Sequence, residues 1–133
     1  MIWMLDTNIW IALLNGSDAS LADCYRAKTP AVIVYPSIVR AELLYGAAKS
    51  KSKKKSQAAV SRILSPHHEI PFGGEAVSHY ATIRSQLEGK GIPIGAEDYL
   101  VAATALATGA VLVTRNLKEF QRVPGLRTDA WKS

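Results

Sequence analysis

The sequence predicts a mostly parallel α/β sheet covered by helices on both faces. Short, β-branched apolar runs at Met1 to Leu5, Ala31 to Tyr35 and Ala110 to Thr114 alternate with helical patterns. The first and last runs end alike, each passing at once to polar residues, Asp6-Thr7-Asn8 and Arg115-Asn116. A chain of 133 residues, 48% of them hydrophobic, is enough for one compact domain, 1–133, whose core needs neither disulfides nor a structural zinc. Sheets of this kind place ligand sites beyond the carboxyl ends of their strands.

Each element follows from local pattern. After the first strand, Thr7 or Asn8 caps a helix whose apolar face is Ile9, Trp10, Leu13 and Leu14, and Asn15-Gly16 stops it. A short helix covers Ala19 to Ala27. Pro36 or Ser37 opens the next, through Ile38, Ala41, Glu42, Leu44 and Tyr45, with Gly46 near its end. Lys49 to Lys55 must lie on the surface as a helix end, loop or helix start, because five like charges cannot share a buried site. Helical character resumes from Ala58 to Leu64. Pro66 separates it from a strand at Glu69 to Phe72, and Gly73-Gly74 introduces a helix from Glu75 to Leu87. Gly89 to Gly95 reads as a loop, Ala96 to Ala107 as a helix ended by Gly109, and Leu126 to Thr128 as an edge strand, after which either Trp131 pins the tail or the end frays.

Composition narrows the function classes. No apolar run approaches the roughly 20 residues of a membrane span. The opening Met1-Ile2-Trp3-Met4-Leu5-Asp6 does not resemble a secretory signal, so cytoplasmic residence is expected. The single cysteine, Cys24, excludes an internal disulfide and a Cys-rich zinc site, and its context suits a buried or half-buried thiol. His67, His68 and His79 form no ligand pattern and are expected to be structural or superficial. The net charge of +5 permits an anionic partner, and five lysines between Lys49 and Lys55 account for all of it.

The polar positions that stand out are Asp6 after the first strand, Glu42 in an apolar helix, Asp98 in a helix first turn and Asn116 after a late strand. A parallel sheet can bring such segments to one edge. Carboxylates gathered there repel one another unless a divalent cation joins them, and hard oxygen ligands suit Mg²⁺ or Mn²⁺. Plainer uses exist for each: Asp6 can cap a helix, Asp98 can complement a helix dipole, and Glu42 can pair with Arg40.

Four stretches decide between these uses. They are Met4-Leu5-Asp6-Thr7-Asn8, the segment from Ser37 through Glu42 to Gly46, the segment from Ile92 through Asp98 to Ala103, and Leu112-Val113-Thr114-Arg115-Asn116-Leu117-Lys118-Glu119-Phe120. In order and spacing the chain resembles the PIN-domain family, specifically the VapC-like ribonuclease toxins of type II toxin–antitoxin systems. The resemblance implies a three-layer α/β/α PIN-like fold in which Asp6, Glu42 and Asp98 bind Mg²⁺ or Mn²⁺ and, with Asn116, form the catalytic set. Many relatives have aspartate at the fourth position; Asn116 can coordinate through its carbonyl oxygen or orient water. Glu97 and Glu119 are candidate outer carboxylates or merely exposed helix-end residues.

The implied chemistry is hydrolysis of RNA phosphodiester bonds to a 5′-phosphate and a 3′-hydroxyl. Thr7, Asn8 and Thr114 are candidates to fix the site carboxylates, and Arg40 and Arg115 to contact phosphate bidentately or to form internal ion pairs. The lysine run could steer RNA or simply be solvated. The resemblance also implies a VapB-like antitoxin lying in an apolar groove, for which Ile9, Trp10, Leu13, Leu14, Leu43 and Leu44 are candidates unless they are core. It further implies a homodimer within the toxin–antitoxin complex, and operator DNA bound only through the antitoxin. The alternatives are an RNA- or antitoxin-binding module with weakened catalysis, and a nuclease acting on DNA or flap structures.

Overall fold

The computed structural model describes residues 1–132. Strands β1 (Trp3–Leu5), β2 (Ile33–Pro36), β3 (His68–Ile70), β4 (Val111–Val113) and β5 (Thr128–Asp129) form one sheet in the order β3-β2-β1-β4-β5. Every pairing is parallel. The connecting helices are α1 (Thr7–Asn15), α2 (Ala19–Arg26), α3 (Ser37–Lys49), α4 (Lys53–Leu64), α5 (Glu75–Gly89), α6 (Ala96–Thr108) and α7 (Leu117–Phe120). Right-handed crossovers put the helices serving β1 to β3 on one face and those serving β3 to β5 on the other, giving the three α/β/α layers expected. In keeping with this, α1, α3 and α4 pack together while α5 packs on α6. No helix among the described residues is long and apolar enough to cross a membrane.

The strand order determines where a site can form. The chain proceeds from β1 outward to β2 and β3, then returns across the sheet to place β4 on the other side of β1. The reversal falls between β1 and β4, and the crevice beyond the carboxyl ends at such a switch point is where open α/β sheets bind ligands. Leu5 is in register with Val113, and the Asp6 N–H donates to the Val113 carbonyl at 3.1 Å. Asp6 and Thr114, the next residue on each strand, therefore emerge side by side. Covered on both faces, β2 and β4 are buried at every position, as are Met4 and Leu5 of β1, which is why these strands read as continuous apolar runs.

Several boundaries differ from the sequence expectation. The Pro30–Val32 segment is a 3-10 turn, so β2 begins at Ile33 rather than at Ala31. The third strand is His68–Ile70 and stops before Pro71, which has no N–H for the ladder. The edge strand is Thr128–Asp129. Tyr45, within the α3 helical pattern, is 60% exposed. Trp131 does pin the tail: it is buried, edge-on to Trp3, and its N–H donates to Asp129 Oδ1 at 2.8 Å. His67 is structural, hydrogen-bonded to Tyr25 Oη and the Pro30 carbonyl and packed on Trp10. Cys24 is half-buried, its thiol directed at the Trp131 carbonyl.

Candidate active site

A cleft of about 180 Å³ opens at the switch point, lined by Asp6, Thr7, Asn8, Ile38, Glu42, Glu97, Asp98 and Val101. Three elements deliver its acids: the β1–α1 junction, the middle of α3 and the first turn of α6. The structure thus brings Asp6, Glu42 and Asp98 to one cavity from positions spread over 93 residues.

Asp6 does two things at once. It is the N-cap of α1, the role expected of Thr7 or Asn8, because its extended backbone lets Oδ1 accept the Ile9 N–H at 3.1 Å. Oδ2 accepts from the hydroxyl of Thr114, which is wholly buried and in turn accepts the Asn116 N–H at 3.0 Å. A carboxylate has about four lone-pair sites, so these bonds orient Asp6 without exhausting it. Burial pushes its carboxyl above the ordinary value near 3.8, opposed by the Thr114 hydroxyl, the Ile9 and Asn8 N–H groups and the charge of Arg115.

Asp98 is half-buried, and its carboxyl is also raised, first by desolvation, then by the charges of Glu119 and Asp6 and contact with Glu119. The Gly95 N–H opposes the rise. Gly95 has an ordinary φ of −63°, so its lack of a side chain serves space rather than conformation: a Cβ there would stand 3.1 Å from Asp98 Oδ2. Gly95→Ala is expected to displace that carboxylate and lower any turnover the cleft supports up to about tenfold, with less effect on stability; parallel rate and melting measurements check both.

Glu97 was open to reading as a mere helix-end residue. Its carboxyl contacts that of Glu42 and is raised by this bond, by burial and by the charges of Glu42 and Asp98. Glu119 contacts the Asp98 carboxyl. The available signal was the i, i+1 acidic pair opening α6 and the Glu119-Phe120 pair, where buried Phe120 fixes the register of α7. Asn116 is exposed and is not among the residues lining the cleft; its N–H, rather than its side chain, connects it to the site through Thr114. Arg40 pairs with Glu69, which also accepts from Ser37, rather than with Glu42. Arg115 pairs with Asp18. Both arginines thus take up internal ion pairs.

The donor set is all oxygen, which suits a hard divalent cation. Among the described residues, however, no three His, Cys, Asp or Glu side chains are grouped closely enough to hold a metal as they stand. The acids instead meet as carboxyl pairs, Glu42 with Glu97 and Asp98 with Glu119. Because Asp6, Asp98 and Glu97 all have raised folded-state values, their contribution to stability is full below their unfolded values and is lost as pH rises through the folded ones. The metal-free protein is therefore expected to melt at progressively lower temperature as pH rises above the ordinary carboxyl values of 3.8 to 4.5, and Asp98→Asn to flatten that slope. Melting curves across this rise test it.

Beside the cleft runs a groove of about 430 Å³ between α1, α3 and α4, lined by Ile11, Leu14, Leu43, Ala47 and Val60, with Glu42 and Lys55 also on its wall. The six candidates divide between the two uses left open for them. Ile9 and Trp10 are fully buried core residues because they face the sheet, and Leu13 and Leu44 are half-buried but not among the lining residues. Leu14 and Leu43 do line it, joined by Ile11, which is 42% exposed.

The family model for the PIN domain matches residues 3–126. The chain is 41% identical to ribonuclease VapC2 of Rickettsia felis over 133 residues, 98% of each chain. It is 34% identical to the tRNA(fMet)-specific endonuclease VapC of Salmonella typhimurium over 97% of each. The crystal structure of DNA-bound VapBC from Salmonella typhimurium contains a chain that superposes with a TM-score of 0.92 over 98% of both chains. The chain belongs to the PIN-domain family and is closely related to its VapC toxins of toxin–antitoxin systems.

Proposed function

We propose that the chain is a metal-dependent endoribonuclease toxin that hydrolyses RNA phosphodiester bonds and is restrained by a cognate VapB-like antitoxin. The observation that carries this reading is the meeting of Asp6, Glu42 and Asp98 in one cleft at the sheet's switch point. Asp6, Glu42 and Asp98 would hold Mg²⁺ or Mn²⁺, which when bound lowers the pKa of water and offsets charge on the phosphoryl oxygens. The chain's own contribution is placement. Thr114 fixes the rotamer of Asp6, and the Gly95 N–H and the N-terminus of α6 orient Asp98. A site carboxylate, Asp98 or Asp6, would orient the attacking water or receive its proton. Water oxygen bonds to phosphorus as the bond to the 3′ oxygen breaks, and that oxygen leaves as a hydroxyl.

The relative named for tRNA(fMet) makes tRNA the first substrate to assay. The antitoxin is assigned to the apolar groove beside Glu42, where an inserted segment would also obstruct the cleft. Contact with operator DNA, in the manner of the DNA-bound VapBC complex, is assigned to the antitoxin within a dimeric toxin assembly. A second reading, a binding module with weakened catalysis, draws on the exposed, neutral Asn116 and the pairwise rather than clustered acids. Purified protein free of inhibitor, incubated with tRNA and Mg²⁺ or Mn²⁺ alongside Asp6→Asn and Asp98→Asn, separates the two: RNA binding without metal-dependent cleavage selects the second.

A further inference from the structure

The lysine run is unusual in what it lacks. Lys49 ends α3, Lys51 lies in the connection, and Lys53, Lys54 and Lys55 are the first three residues of α4. All five are exposed, and none forms an ion pair among the described residues. The first turn of α4 contains no acid and has no side-chain cap. Three cations there oppose the positive end of the helix dipole as well as one another, an arrangement that costs folding stability and that a polyanion relieves.

Position connects this run to the cleft. Glu42, Tyr45 and Lys49 fall at i, i+3 and i+7 on α3, one continuous stripe that starts at the acidic site. Tyr45 is 60% exposed, with Lys49 Nζ 4.5 Å from its ring centroid. Glu42 and Lys49 are about 10 Å apart along the axis, the length of about three stacked nucleotides. Lys55 and Glu42 share the wall of the adjacent groove. An acidic cleft by itself repels RNA, so the attraction must come from its surroundings.

We propose that Tyr45 and Lys49, Lys51, Lys53, Lys54 and Lys55 form a track that binds the RNA strand on one side of the scissile bond. Tyr45 stacks on a base and the lysines contact successive phosphates, a combination that holds single strands with little sequence preference. This rests on the ribonuclease reading above and adds to it the surface that sets affinity.

The test measures tRNA binding in an Asp98→Asn background, where no cleavage intervenes, together with cleavage in the unmodified background. The combined Lys51→Gln, Lys53→Gln, Lys54→Gln and Lys55→Gln variant is expected to weaken binding at least tenfold at about 0.15 M salt. The slope of log affinity against log salt should flatten by about 3. KM should rise more than kcat falls, and the melting temperature should stay level or increase. Tyr45→Ala should weaken binding without altering the salt slope. Lys54→Gln should exceed Lys90→Gln, an equal change in net charge elsewhere. Unchanged affinity and slope in a quadruple variant that still cleaves RNA would overturn the track and leave the nuclease reading intact. So would a variant that loses only affinity for an acidic antitoxin segment. Absence of cleavage by the wild type, with binding still sensitive to the lysines, would instead remove the nuclease reading alone.

Discussion

Asp98→Asn is expected to reduce metal-dependent RNA cleavage by at least about 100-fold while raising the melting temperature of the metal-free protein. The two effects share one cause. Asp98 is a half-buried carboxylate facing the charges of Asp6 and Glu119, and no cationic side chain is among the residues lining the cleft. Replacing it with a neutral isostere removes repulsion and desolvation together, and with them a hard-oxygen donor. Saturating Mg²⁺ should therefore raise the melting temperature of the wild type more than that of the variant, since only preferential binding to the fold stabilises it. Full activity in Asp98→Asn would place the chemistry elsewhere, and a lower metal-free melting temperature would contradict the like-charge account.

Thr114→Val has the next largest expected effect. The substitution nearly preserves volume at a position with no solvent exposure, yet it removes the only side-chain hydrogen bond to Asp6 Oδ2 among the described residues, and the acceptor for the Asn116 N–H. Leaving the buried Asp6 carboxylate oxygen without this partner costs about 1–3 kcal/mol. The Asp6 carboxyl, already raised by burial, should rise further, so the acid limb of the pH–rate profile should move to higher pH. Thr114→Ser restores the hydroxyl and should recover most of both effects. Denaturant unfolding and a pH–rate series on the two variants are sufficient to decide, and a valine variant with wild-type stability and profile would make the Thr114 bond incidental.

Much of the site was legible because its residues occupy positions where local chemistry is distinctive. Asp6 follows an apolar strand run with no intervening residue, and Asp98 lies in a helix first turn, so each could be placed at an element end before any contact was known. Glu42 attracted notice as a carboxylate among apolar neighbours, and it does reach the cleft. Glu97 and Glu119 were underrated because an acid at a helix start is adequately explained by the dipole; only their carboxyl partners distinguish them. Ile9 and Trp10 could be left only as groove or core, because helical periodicity identifies an apolar face without saying whether sheet or solvent lies against it. Tyr45 illustrates the converse, an aromatic in an apolar pattern that faces water.

The sequence by itself determined the α/β class, the helices α1 to α6 and the run of exposed lysines, since these depend on spacing, capping and charge within a few residues. Tertiary structure alone decided that β1 and β4 are neighbours at the switch point, that Thr114 therefore bonds Asp6, and that Arg40 and Arg115 are engaged by Glu69 and Asp18. Strand order and long-range polar pairing arise from how the whole sheet and its helices pack, and no window of local sequence contains that information.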